Sequence, residues 1–85
     1  MMTREEIAEI NPDALLCDGF DEAIIGIADR INLNSVVAYS VEKIIEIMVE
    51  RDNMTYEEAL EYYEYNILGS WVGENTPIFI TTNID

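Results

Sequence analysis

The sequence has no histidine, one cysteine, two prolines, four glycines and only four lysines and arginines among 85 residues. Without histidine, neither a Ser-His-Asp nor a Cys-His machine can be assembled within the chain. Histidine-ligated zinc is excluded for the same reason. A single cysteine excludes multi-cysteine zinc sites and any intramolecular disulfide. Four cations against 18 acids also exclude a basic patch for nucleic acid. Direct nucleic-acid contact is therefore not expected. Long apolar runs are missing too. The longest, Ala23–Ala28, falls far short of the roughly 20 residues of a membrane helix. The opening Met1–Glu6 lacks a basic stretch followed by an apolar one, so no secretory signal is expected. The lone Cys17 fits a reducing cytoplasm.

Acid and apolar residues dominate what is present. The net charge is −14 and the isoelectric point is near 4.1. Hydrophobic residues make up 49% and aromatics 9%, enough Ile, Leu, Val and Tyr for a folded core, so the acidity does not signal disorder. No Gly-, Ser- or Pro-rich linker and no repeat interrupts the chain, which reads as one acidic domain over residues 1–85. Acidity is concentrated in the end thirds. Residues 1–30 hold eight acids against two arginines, and residues 55–85 hold six acids and no cation. A core of this size supplies about 3–5 kcal/mol, which self-association would reinforce.

Local signals order the elements. Thr3-Arg4-Glu5-Glu6 is a capping box, and Ile7 and Ile10 carry a short helix that stops before Asn11-Pro12. Ala14–Cys17 reads as a short strand, followed by a turn at Asp18-Gly19. Ala23–Ala28 suits either a helix or a doubly buried strand in which Gly26 permits close approach. The strand is favoured because a turn at Asn32-Leu33-Asn34 and a clear strand at Ser35–Tyr39 complete a hairpin over 23–39. Ser40 caps a helix over 41–51, whose apolar residues span an arc of about 200°, so that it is covered on two sides. Its polar edge holds Glu42, Glu46 and Glu50 at like-charge i, i+4 spacing.

A second capping box, Thr55-Tyr56-Glu57-Glu58, starts a helix over 55–71. One stripe on it comprises Tyr56, Ala59, Leu60, Tyr63, Ile67 and Trp71. A second, on the far side, comprises Tyr65, Leu68 and Val72. Gly73 ends the segment, and Gly69 allows close packing against a strand. A strand over 77–81 begins with Pro77, which favours a sheet edge. The predicted fold class is α+β: a small, mainly antiparallel sheet with helices 41–51 and 55–71 packed on it.

Three features bear on function. Asp18, Asp21 and Glu22 form the densest acidic loop and are candidate ligands for Ca²⁺ or Mg²⁺, although the spacing departs from an EF-hand. The plainer reading is a solvated turn in which Asp21 caps a backbone amide. Tyr62, Tyr65, Leu68 and Val72 lie off the main stripe and form a candidate interaction surface, covered by the terminal strand, a second copy or a partner. Glu57, Glu61 and Glu64, with the 18–22 loop, suit a nucleic-acid mimic that competes for a DNA-binding protein; the plainer reading is a solubilising surface. Paired carboxylates for acid–base catalysis need a desolvated member and an enclosed pocket, which a chain this short rarely builds.

Cys17-Asp18-Gly19-Phe20-Asp21, Ala23–Gly26, Val37-Ala38-Tyr39, Met54-Thr55 with Glu57-Glu58-Ala59, and Asn66–Pro77 occur in an order that resembles a recurring family of small uncharacterised bacteriophage and bacterial proteins. The likeness spans residues 17–80 and leaves out the N-terminal helix. It implies a phage or bacterial cytoplasmic setting and supplies no functional residues. The sequence as a whole is read as a non-enzymatic accessory protein that works by protein–protein contact, with a homodimer as one form of that contact. No cofactor and no membrane association are expected.

Overall fold

A computed structural model describes residues 2–71 and 73–82. The order is α1 (Arg4–Ile10), β1 (Ile24–Arg30), β2 (Leu33–Ser40), α2 (Val41–Arg51), α3 (Tyr56–Tyr62) and β3 (Ile78–Ile80). A three-residue 3₁₀ turn, Asp21–Ala23, leads into β1. The architecture is α+β, with β2 at the centre of an open three-stranded sheet. β1 runs antiparallel to β2, whereas β3 pairs with β2 in parallel, through Ala38–Ile78, Tyr39–Phe79 and Ser40–Ile80.

Both capping boxes form. Thr3 Oγ1 accepts from the Glu6 amide and Glu6 accepts from the Thr3 amide; Thr55 and Glu58 repeat the arrangement at α3. Thr55→Ala is expected to lower stability by about 1 kcal/mol, because α3 loses its first-turn acceptor. A urea titration followed by circular dichroism checks this, and an unchanged midpoint would refute it. Ser40 caps α2 as expected, its hydroxyl accepting from the Lys43 amide.

Several expectations need correction. Ala14–Cys17 forms no strand. Three of its four amides bond outside any ladder, Ala14 to the Asn11 carbonyl, Leu15 to the Asn75 carbonyl and Cys17 to the Tyr39 hydroxyl. The hairpin turn falls at Ile31-Asn32, with Asn32 at φ 60°, and Leu33 already belongs to β2. The doubly buried strand is β2, where Val36, Val37, Ala38 and Tyr39 are all buried. β1 instead exposes Ile25, because the register slips between Ile24 and Gly26 and leaves Ile25 unopposed. Gly26 lies beside this bulge with open space around it, so close approach does not explain it.

Residues 55–71 are not one α-helix. After Tyr62 the chain widens into a π turn over Tyr63–Ile67, tightens into a 3₁₀ turn over Leu68–Ser70 and is extended at Trp71. The Leu68 amide donates to the Tyr63 carbonyl, five residues back. The wider turn keeps Tyr63 and Ile67 together in the core with Ala59. Gly69 approaches the Glu64 carbonyl of this same turn, not a strand. The segment ends at Ser70, with Trp71 extended, so Gly73, at φ 101°, lies beyond the helical end and not at its cap as expected. β3 is the far edge of the sheet.

The core lies between the sheet and the helices. Ile44 and Met48 of α2, one turn apart, are fully buried and pack with Val37 and Tyr39 of β2. The Tyr39 and Phe79 rings stack at 5.8 Å, and Tyr63 meets Phe79 edge-on at 5.7 Å. The aromatic trio ties β2, β3 and the π turn together.

Candidate functional site

The outer face of α3 and its π turn carries the exposed aromatic residues. Tyr62 is 43% exposed, Tyr65 75% and Leu68 49%. Within the described residues no terminal strand covers them. Val72, the fourth member of the expected surface, lies outside the described residues. Tyr62 and Tyr65 flank a shallow depression of about 430 Å³ with Glu58, Glu61 and Asn66. The helical wheel separated this face correctly from the buried Ala59, Tyr63 and Ile67. It misplaced Tyr56, which is 63% exposed and lines an open groove beside α2.

The acidic loop is held by an arginine. Arg4 on α1 donates through Nε and Nη2 to the two Asp21 oxygens, both at 2.9 Å, and through Nη2 to Asp18 at 3.1 Å. This fork is the geometry in which guanidinium binds carboxylate most strongly. It holds the Asp21 carboxyl below its usual range and raises the Arg4 guanidinium further. Glu22 lines a cleft with Asp21, Glu50 and Arg51, whereas Asp18 is not among its walls. Asp18, Asp21 and Glu22 therefore do not converge, and among the described residues no group of three carboxylates or thiols is placed to hold a metal ion. The 17-residue separation of Arg4 from Asp21 hides this clamp from local sequence reasoning.

A second arginine closes the loop from below. Arg51 Nη1 donates to the Gly19 carbonyl at 2.7 Å, and its guanidinium lies 5.0 Å from the centre of the Phe20 ring. Gly19 adopts φ 88°, and a Cβ there would come within 3.2 Å of Arg51 Nη1. Loop 18–22 thus carries two aspartates that share the single positive charge of Arg4 and a backbone braced by Arg51.

Protonation behaviour follows from these contacts. Glu6 and Glu58 sit below the usual carboxylate range because capping amides donate to them, and Asp52 does so because of Arg51. Glu6, Asp21, Asp52 and Glu58 are all displaced downward, so these four are ionised at neutral pH and are poor proton donors. Burial pushes the Cys17 thiol up to about 11 and the Tyr39 phenol up to about 12. Cys17 is thus a buried, protonated thiol with little nucleophilic character.

Sequence reasoning did not anticipate a groove between α2 and α3. It encloses about 540 Å³ over an apolar floor from Val41, Ile45, Val49 and Leu60, with Tyr56 on one wall and Glu42, Glu46 and Glu50 on the other. The signal was present in the wide apolar arc of α2. Which part of that arc stays open depends on where α3 lands. No helix among the described residues is long and apolar enough to cross a membrane. The chain matches no family model, no curated protein and no solved structure in the comparisons made.

Proposed function

We propose that the protein is a non-enzymatic accessory factor of phage or bacterial type that acts by protein–protein contact through Tyr62, Tyr65 and Leu68. The observation that carries this reading is the exposure of two tyrosines and a leucine on one face of an otherwise charged helix. Tyrosines anchor interfaces because they bury a large ring at little entropic cost while keeping a hydroxyl for hydrogen bonding.

A photo-cross-linking residue at position 65 tests the reading, with the same residue at exposed position 5 as control. Position 65 is expected to give a defined adduct, either with a second copy or with a partner, and Leu68→Asp is expected to abolish it. Light scattering at two concentrations identifies the second copy if that is the occupant. A strict monomer that gives no more adduct from position 65 than from position 5 would end the proposal.

A second reading, mimicry of nucleic acid, is favoured by Glu57, Glu61 and Glu64, which are exposed along the same helix and its π turn and form no ion pair among the described residues. The 18–22 loop contributes less to it, because Arg4 offsets Asp18 and Asp21. A captured DNA-binding protein that is released by duplex DNA and by raised salt would select this reading.

A further inference from the structure

The α2–α3 groove combines an apolar floor with a one-sided acidic rim. Ile45 is buried at its base, Val49 and Leu60 are half-buried, and Tyr56 stands at its edge. Glu46 and Glu50 lie one turn apart on the rim, about 6 Å along the helix axis. Glu50 has no ion pair among the described residues. Glu46 has only an exposed i, i+3 contact with Lys43 at 3.3 Å, a weak pair that exchanges readily.

We propose that this groove binds a basic amphipathic helix of another protein. Such a helix lays apolar side chains at i, i+3 or i+4 and i+7 along the floor, the standard mode of helix-in-groove recognition. Lysines or arginines flanking that stripe at i, i+4 spacing meet Glu46 and Glu50 with matching repeat and opposite charge. Charge rejects the competing occupants. Nucleic acid and anionic lipid headgroups are repelled by the rim. A second copy brings the same net charge of −14 and only four lysines and arginines, so it is repelled as well. The groove is distinct from the Tyr62–Tyr65–Leu68 face, so the proposal does not depend on that surface.

The test is calorimetric titration of the full chain with a synthetic three-turn peptide bearing leucines on one face and lysines beside them. Two companion peptides replace the lysines by glutamate or the leucines by serine. The leucine–lysine peptide is expected to bind and both companions to fail. The double variant Glu46→Gln with Glu50→Gln is expected to weaken binding at least about tenfold. The charge-matched double variant Glu57→Gln with Glu61→Gln, on the outer side of α3, is expected to change it by less than about threefold. Equal loss in the two double variants would reduce the effect to general attraction by an acidic protein and overturn the proposal. Binding of the serine peptide as tight as that of the leucine peptide would do the same. Tyr65→Ala is expected to leave peptide binding unchanged; a loss there would place the contact on the other face and refute the groove.

Discussion

Tyr39→Ala is expected to leave the chain unfolded in water at room temperature. Tyr39 is fully buried at the centre of β2 and stacks on Phe79. Its hydroxyl accepts from the Cys17 amide at 2.8 Å, which closes the long loop between α1 and β1 onto the sheet. Truncating a buried aromatic to alanine costs about 3–5 kcal/mol. An orphaned buried amide adds about 1–3 kcal/mol. A core of this size supplies only about 3–5 kcal/mol, so the sum exhausts it. Tyr39→Phe separates the two contributions, since it keeps the ring and removes the acceptor, and should cost about 1–3 kcal/mol while the chain stays folded. Urea denaturation followed by circular dichroism reads both variants. A cooperative transition of Tyr39→Ala near the parental midpoint would refute the argument.

Asn11→Asp is expected to cost about 3 kcal/mol at neutral pH and much less in acid. Asn11 is the one buried residue among the described ones that is neither apolar nor aromatic. Its Nδ2 donates to the Ser35 carbonyl at 2.8 Å and to Asn75 Oδ1 at 3.0 Å, while its Oδ1 accepts from the Asp13 amide. The substitution keeps the shape but turns two donated bonds into oxygen–oxygen contacts and buries a charge. Only the protonated acid can donate to the Ser35 carbonyl, so folding raises the new carboxyl above its unfolded value of about 3.9. A raised acid contributes fully below the unfolded value, and its contribution is lost as pH rises through the folded value. The gap between variant and parent should therefore be smallest near pH ~4 and widen toward neutrality. Asn11→Ala, which has no titrating group, should show a gap that does not depend on pH. An Asn11→Asp gap that fails to narrow on acidification would sink the assignment.

The features legible in advance are those decided within one or two turns of chain. Thr3 with Glu6, and Thr55 with Glu58, form capping boxes from residues three apart. α2 matches its expected bounds because Ser40 and the Asp52-Asn53 break punctuate it locally. The exposure of Tyr62, Tyr65 and Leu68 followed from the wheel, which needs only helical periodicity.

What failed depends on distant partners. Ala14–Cys17 looks like a strand until Asn75 and Tyr39 take its amides from across the fold. Nothing near residue 78 specifies that β3 runs parallel to β2, since that direction is set by how α2 and α3 return the chain. Asn11 and Asn75 lie 64 residues apart, and only the folded chain brings them together. The groove is legible only once α2 and α3 are placed side by side.

The widened turn at Tyr63–Ile67 bears on how this chain tolerates changes in length. A turn closed by bonds five residues back holds one more residue than an α-helical turn needs. Removing a single solvent-facing residue there, such as Asn66, lets the backbone tighten into ordinary helix without dragging Trp71 or β3 out of place. The same deletion in α2 would rotate Ile44 and Met48 away from the sheet. The segment beside the exposed tyrosines is thus a splice point, where the spacing of surface side chains can vary while the interior stays fixed.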